Sequence, residues 1–155
     1  MRRTALLSLL TLAAFVAAPA AAGDGPMFAA QGGLGAVNAK GTLRYVPVGV
    51  AGSTALEVVR TADGAIFNWR ELTGSWGLPA IGSSSQAALS HDGRALVLER
   101  TAFGTSSTFL LLDPRTLQLD DRIALRGSFT FDAFSPDASR MYLIQYLDGT
   151  IDHYV

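Results

Sequence analysis

From position 43 onward the chain alternates short apolar runs with polar breaks. LRYVPVGV, ALEVVR, TFLLL and RMYLIQY are rich in β-branched and aromatic side chains. No window of eleven or more residues carries an apolar stripe at helical period. Such short runs describe strands that lie against a core. The pattern predicts strands at 43–48, 55–60, 65–72, 87–90, 95–100, 108–112, 117–125, 129–135, 140–146 and 150–155. The breaks between them have turn chemistry. Asp63-Gly64, Asp92-Gly93 and Asp148-Gly149 each pair an aspartate that bonds its own backbone with a glycine that tolerates positive φ. Asp113-Pro114-Arg115-Thr116 uses the fixed φ of proline to set a type I turn. Strands joined in this way pair antiparallel, so the chain is expected to be all-β.

The turns recur in register. Asn38-Ala39-Lys40-Gly41, Ser90-His91-Asp92-Gly93 and Ser135-Pro136-Asp137-Ala138 align without gaps, at separations of 52 and 45 residues. This register places Tyr45, Val97 and Tyr142 at one position. A second landmark repeats in the same order: Leu72-Thr73-Gly74-Ser75-Trp76 matches Leu125-Arg126-Gly127-Ser128-Phe129. A period of 40 to 50 residues is the mark of stacked supersecondary units. Each unit reads as strand, Ser-x-Asp-Gly turn, strand, Gly/Ser loop, strand, Asp-Pro or Asp-Gly turn, strand. That is a four-stranded antiparallel blade.

LSHDGRALVLE, TFLLLDPRTLQL and FSPDASRMYLIQ resemble the Ser-Pro-Asp-Gly-x-x-aromatic and Asp-x-x-Thr elements of secreted bacterial β-propellers, the broad group with YVTN-type and WD-type repeats. The resemblance spans roughly residues 37–155. It implies a partial β-propeller of about two and a half to three blades. The chain departs from the motif at Ala138-Ser139, where glycine is expected, and at Lys40, where aspartate is expected. It has no Trp-Asp dipeptide and no Gly-His signature. Propellers close with four to eight blades. The sequence is therefore expected to be the N-terminal part of a longer member, with self-association through open edge strands as the alternative.

Ahead of the repeats, residues 1–22 combine Arg2-Arg3, an apolar run from Ala5 to Ala18, a Pro19 break and Ala20-Ala21-Ala22. This is the form of a secretory signal peptide, with cleavage expected after Ala22. The apolar run falls short of the roughly 20 residues that span a bilayer, so no membrane anchor is expected in the mature chain. The destination is secreted or periplasmic. Residues 23–36 are rich in Gly and Ala and are expected to be loose. A net charge of −1 gives no basic footprint for nucleic acid. With no cysteine, disulfides, thiolate-bound zinc and a thiol nucleophile are all excluded.

Candidate chemistry is sparse. His91 and His153 are the only histidines, and neither has a Glu or His at metal-ligand spacing. Ser83-Ser84-Ser85 lacks a nucleophile elbow. In a propeller the connections between blades and the loops after second strands emerge on one face, and ligand sites favour that face. By this rule His91, Asp92, Asp113 and Asp137 fall on the opposite face. Trp76, Phe103, Asp132 and Asp148 fall on or near the ligand face. The connection after Trp76 is eight residues longer than the one after Phe129, placing the insertion GLPAIGSS there. Trp76, Asp132 and Phe103 are the candidate ligand-binding residues. No cofactor is implied. The expected function is a binding or scaffold module for a protein, glycan or small ligand. The alternative is part of a lactonase- or lyase-like propeller enzyme whose site needs further blades.

Overall fold

Hairpin follows hairpin along the chain. The computed structural model describes residues 29, 31–32, 35–79, 88–100 and 105–147, and the backbone of 150–154. β1 (Ala36–Val37), β2 (Leu43–Val50), β3 (Ser53–Arg60) and β4 (Ile66–Thr73) form an antiparallel sheet in chain order. β5 (Trp76–Gly77), β6 (Leu96–Arg100), β7 (Ser106–Leu112) and β8 (Leu119–Arg126) form a second sheet in the same order. β9 (Ser128–Phe134), β10 (Met141–Leu147) and β11 (Thr150–Tyr154) form a third. No α-helix occurs among the described residues. The architecture is all-β, built of propeller-like antiparallel blades.

Burial explains why the strand patterns differ. In β3, Thr54, Leu56 and Val58 are buried while Ala55, Glu57 and Val59 are half-buried, the alternation of a sheet packed mainly on one face. β6 loses that alternation, and Leu96, Val97, Leu98 and Glu99 are all buried. The inner strands of the second sheet, β6 and β7, are buried on both faces over Leu96–Glu99 and Thr108–Leu110, while its last strand, β8, is largely exposed. One core joins the three sheets, running from Tyr45, Leu56 and Val58 through Leu98 and Phe109 to Phe131.

The recurring turns have one geometry. Ser90 N–H donates to Ala95 O at 2.9 Å, and Gly93 N–H donates to Ser90 O at 3.0 Å. Ser135 and Asn38 repeat both bonds with Arg140 and Ala138, and with Leu43 and Gly41. Ser90 Oγ donates to Asp92 Oδ1 and accepts from Arg94 and Ala95 N–H, and Ser135 does the same toward Asp137 and Arg140. In the first copy Asn38 Oδ1 alone accepts from Thr42 and Leu43 N–H. Its longer acceptor arm does without the aspartate, which accounts for Lys40 at that position. Gly41 and Gly93 sit at φ 68° and Ala138 at φ 55°. A left-handed alanine costs about 1–2 kcal/mol. Less the entropy that glycine adds to the unfolded chain, Ala138→Gly is expected to stabilise the protein by about 0.5 kcal/mol. Urea unfolding checks this, and a loss of stability would show that the Ala138 methyl packs favourably.

The second landmark fastens sheet to sheet. Thr54 Oγ1 donates to Gly74 O and accepts the N–H of Trp76, both at 2.9 Å. Ser107 Oγ donates to Gly127 O at 3.1 Å and accepts the N–H of Phe129 at 2.7 Å. A hydroxyl from the third strand of one sheet thus holds the first residues of the next. Gly127 has φ 114°, and a Cβ there would meet the Phe129 ring at 2.9 Å, so only glycine fits.

Three features differ from the sequence expectation. Ala36–Val37 is paired, Gln31 Nε2 donates to Trp76 O at 2.9 Å, and Gly32 N–H donates to Pro47 O, so the segment expected to be loose is tied down at these points. Of the strand expected at 87–90, the described residues 88–90 contribute a bridge from Leu89 to Leu96. Trp76–Gly77 already pairs with Arg100 and Glu99, as Phe129 and Thr130 pair with Gln145 and Ile144. The eight extra residues therefore interrupt the first strand of the second sheet and do not lengthen the connection before it. A strand tolerates such an interruption because both halves still pair with β6.

Candidate functional site

The turns of the first two sheets enclose a cleft. Its volume is about 680 Å³, within the range of ligand clefts. Leu43, Tyr45 and Leu89 line it, and the β1–β2 turn, the turn before β6 and the β7–β8 turn form its walls. Each wall brings a cation: Lys40 from the first, Arg94 from the second and Arg115 from the third. Asp92 and His91 also line the cleft.

Local chemistry decides which charges are free to act. The Ser90 hydroxyl and the Arg94 N–H lower the pKa of Asp92, so its carboxylate is committed to its own turn. Asp113 lies in the third turn, where Oδ1 accepts from the N–H groups of Arg115 and Thr116. Burial raises the pKa of the Tyr45 phenol, and the Asp113 carboxylate adds to the rise. The floor thus offers a neutral hydroxyl. Lys40, Arg94 and Arg115 line the cleft with one lining carboxylate, Asp92, and the Asp113 carboxylate also acts on the Tyr45 floor, in a chain of net charge −1.

The turns position these side chains by covalent proximity. Gly93 at φ 68° returns the chain so that Arg94 starts beside Asp92, whose Oδ2 lies 3.5 Å from Arg94 Nε. Pro114 and the Asp113 cap hold Arg115 at the outer corner of its turn. Arg70 of β4 donates to Leu117 O at 2.8 Å and ties the first sheet to the β7–β8 turn, one of the cleft walls.

The residues singled out from sequence are placed as follows. Trp76 is 4 % exposed, its indole N–H donates to Thr73 O at 2.8 Å, and the Arg122 guanidinium lies 5.9 Å from the ring. It packs within the core cluster. Asp132 is half-buried in β9, at a register slip that leaves it without a cross-strand partner. Trp76 lies near the β4–β5 connection and Asp132 lies within β9. Phe103, Asp148 and Ala22 lie outside the described residues, as do residues 80–84 of the insertion. His91, Asp92 and Asp113 lie in turns of the cleft walls or beside them, at the end of the blades that the propeller rule sets opposite the ligand face.

Sequence reasoning passed over Lys40, Arg94, Arg115 and Glu99. The three cations are far apart along the chain, and no spacing signals that they converge. Glu99 did carry a signal. In the repeat register it falls at the position of Pro47 and Ile144, making it the one acid where the other copies are apolar. It is 7 % exposed, and its Oε2 accepts from Thr130 Oγ1 at 2.9 Å and from Phe131 N–H at 3.2 Å. Burial pushes its carboxyl up to about 7, against the pull of those two donors. Among the described residues no three His, Asp or Glu side chains gather as a metal site. No helix among them is long and apolar enough to cross a membrane. No family model, curated protein or solved structure matches the chain.

Proposed function

We propose that this chain is an exported propeller-repeat binding module that takes a small anionic ligand in the cleft between its first two sheets. The observation that carries the reading is the convergence of Lys40, Arg94 and Arg115 from three separate turns on one cleft with a neutral Tyr45 floor. A carboxylate- or phosphate-bearing ligand would find direct charge pairing at the rim, and the Tyr45 and Thr42 hydroxyls could orient it. Export rests on the Arg2-Arg3, apolar run and Ala20-Ala21-Ala22 pattern. The YVTN-like character rests on the Ser-x-Asp turns, whose bonds recur in the second and third copies.

The probes are inorganic phosphate and citrate, titrated calorimetrically at low salt. Binding is expected, tighter for citrate, and weakening as salt rises. Replacing Lys40 and Arg115 together by glutamate is expected to weaken citrate at least tenfold while the circular dichroism stays β. Equal citrate affinity in the variant would remove the cleft from the reading.

A further inference from the structure

Besides the Ser107 hydroxyl and the shared core, the third sheet is held to the second through a carboxyl group where its own ladder is interrupted. Pairing between β9 and β10 slips between Tyr142 and Leu143: Ala133 opposes Tyr142, Phe131 opposes Leu143, and Asp132 opposes nothing. Beside that bulge the Phe131 N–H donates to Glu99 Oε2, and the Thr130 hydroxyl donates to the same oxygen. Glu99 reaches across from β6, where its cross-strand partners are Gly77 and fully buried Phe109. The corresponding residue of the first sheet is Pro47, which cannot ionise.

The ionisable groups around this joint are few. β5 and β7 carry none. β9 carries Asp132, half-buried in the bulge, and β10 carries the phenols Tyr142 and Tyr146. Arg100, next to Glu99 on β6, points to the other face of the strand by alternation and is exposed. No described cation pairs with Glu99. Among the described residues, an ionised carboxyl here has two hydrogen-bond donors, Thr130 Oγ1 and Phe131 N–H, and no paired cation. That is too little to replace the water it gives up.

We propose that Glu99 is a proton-operated joint between the second and third sheets: protonated, it keeps the third sheet closed on the second, and ionised, it draws water into the joint and lets the third sheet open. Opening hydrates the carboxylate and releases Phe131 N–H and the Thr130 hydroxyl to solvent. The first sheet is joined to the second through Thr54, Arg70 and the apolar core, with no carboxyl group at these contacts, and it stays closed. The joint is independent of the proposed ligand cleft, which the first and second sheets build without β9.

Hydrogen exchange of the full chain, read by mass spectrometry at pH 6 and pH 8 and corrected for the intrinsic pH dependence of amide exchange, tests the joint. A carboxyl with a pKa near 7 closed and 4.5 open makes opening about tenfold more frequent at pH 8. Peptides spanning 128–147 are expected to lose about tenfold protection, and those spanning 43–73 to keep theirs. Glu99→Gln, which cannot ionise, is expected to abolish the difference. Thr130→Val removes a donor that favours the ionised form and is expected to move the transition to higher pH. Thr130→Val also keeps the test decisive if Glu99→Gln fails to fold. The joint is overturned by pH-independent protection of 128–147, by an equal loss across 43–73, by persistence of the loss in Glu99→Gln, or by an unmoved transition in Thr130→Val.

Discussion

Replacing Phe109 by alanine is expected to lower the free energy of unfolding by about 3–5 kcal/mol, read from urea unfolding at pH 6. Phe109 is fully buried in β7, between Glu99 of β6 and Ile123 of β8. It belongs to the one core that joins the three sheets. Truncation removes the ring from that core and leaves a cavity that two flanking strands, held by their ladders, cannot close. Against the roughly 5–15 kcal/mol that stabilises an ordinary domain, this is a large share. The cavity also opens beside Glu99. Water admitted there would hydrate its carboxylate, so the variant should show a weaker dependence of stability on pH as well as lower stability. A loss below about 1 kcal/mol would mean that the sheets do not pack on this ring.

The second large effect is on the pH profile of stability itself. The Glu99 carboxyl is raised in the folded protein to about 7 from an ordinary 4.5. The folded state therefore binds the proton more tightly, and its stabilising contribution is complete below about pH 4.5. The contribution is lost as pH rises, and it is gone above about pH 7, at roughly 1.4 kcal/mol per pH unit in the window between. Across that window the wild-type protein loses about 3 kcal/mol through this one group. Glu99→Gln keeps an oxygen to accept from Thr130 and Phe131 N–H and cannot ionise. Its unfolding free energy is expected to stay flat from pH 5 to pH 8 and to exceed that of wild type at the upper end. Parallel profiles for the two proteins would place the titration elsewhere.

Asp137 shows the opposite sign with little consequence. The hydroxyls of Ser135 and Ser139 hold it down to about 2, but it lies in an open turn. Its charge keeps its water, so the shift describes turn geometry. Glu99 gives up its water on folding, which is why the same residue class matters there. Burial separates the two acids, and neighbouring residue types alone do not.

The strands, the turns and the repeat could be read along the chain because each is local. Ser90 bonds Asp92, Arg94 and Ala95, all within five residues. Glycine at positive φ needs only its own backbone, and alternation needs only neighbouring positions. These interactions form in any hairpin of this composition, whatever surrounds it. Even the Gly-Ser-aromatic connectors were visible, since a ring folded over its own glycine is a contact across two residues.

Tertiary structure decided the rest, for reasons of register between sheets. Whether Trp76 faces a ligand or the core depends on Thr54, twenty-two positions away, and on Arg122 above its ring. The insertion after Trp76 interrupts a strand because Leu89 finds Leu96, a pairing that loop length does not encode. Lys40, Arg94 and Arg115 meet because the first two sheets stack turn to turn. Glu99 is an ordinary strand acid until Phe131 closes over it from thirty-two residues away and removes its water. Hydrogen bonds within a turn are set by a few adjacent residues, whereas burial and convergent charge are properties of the packed sheets.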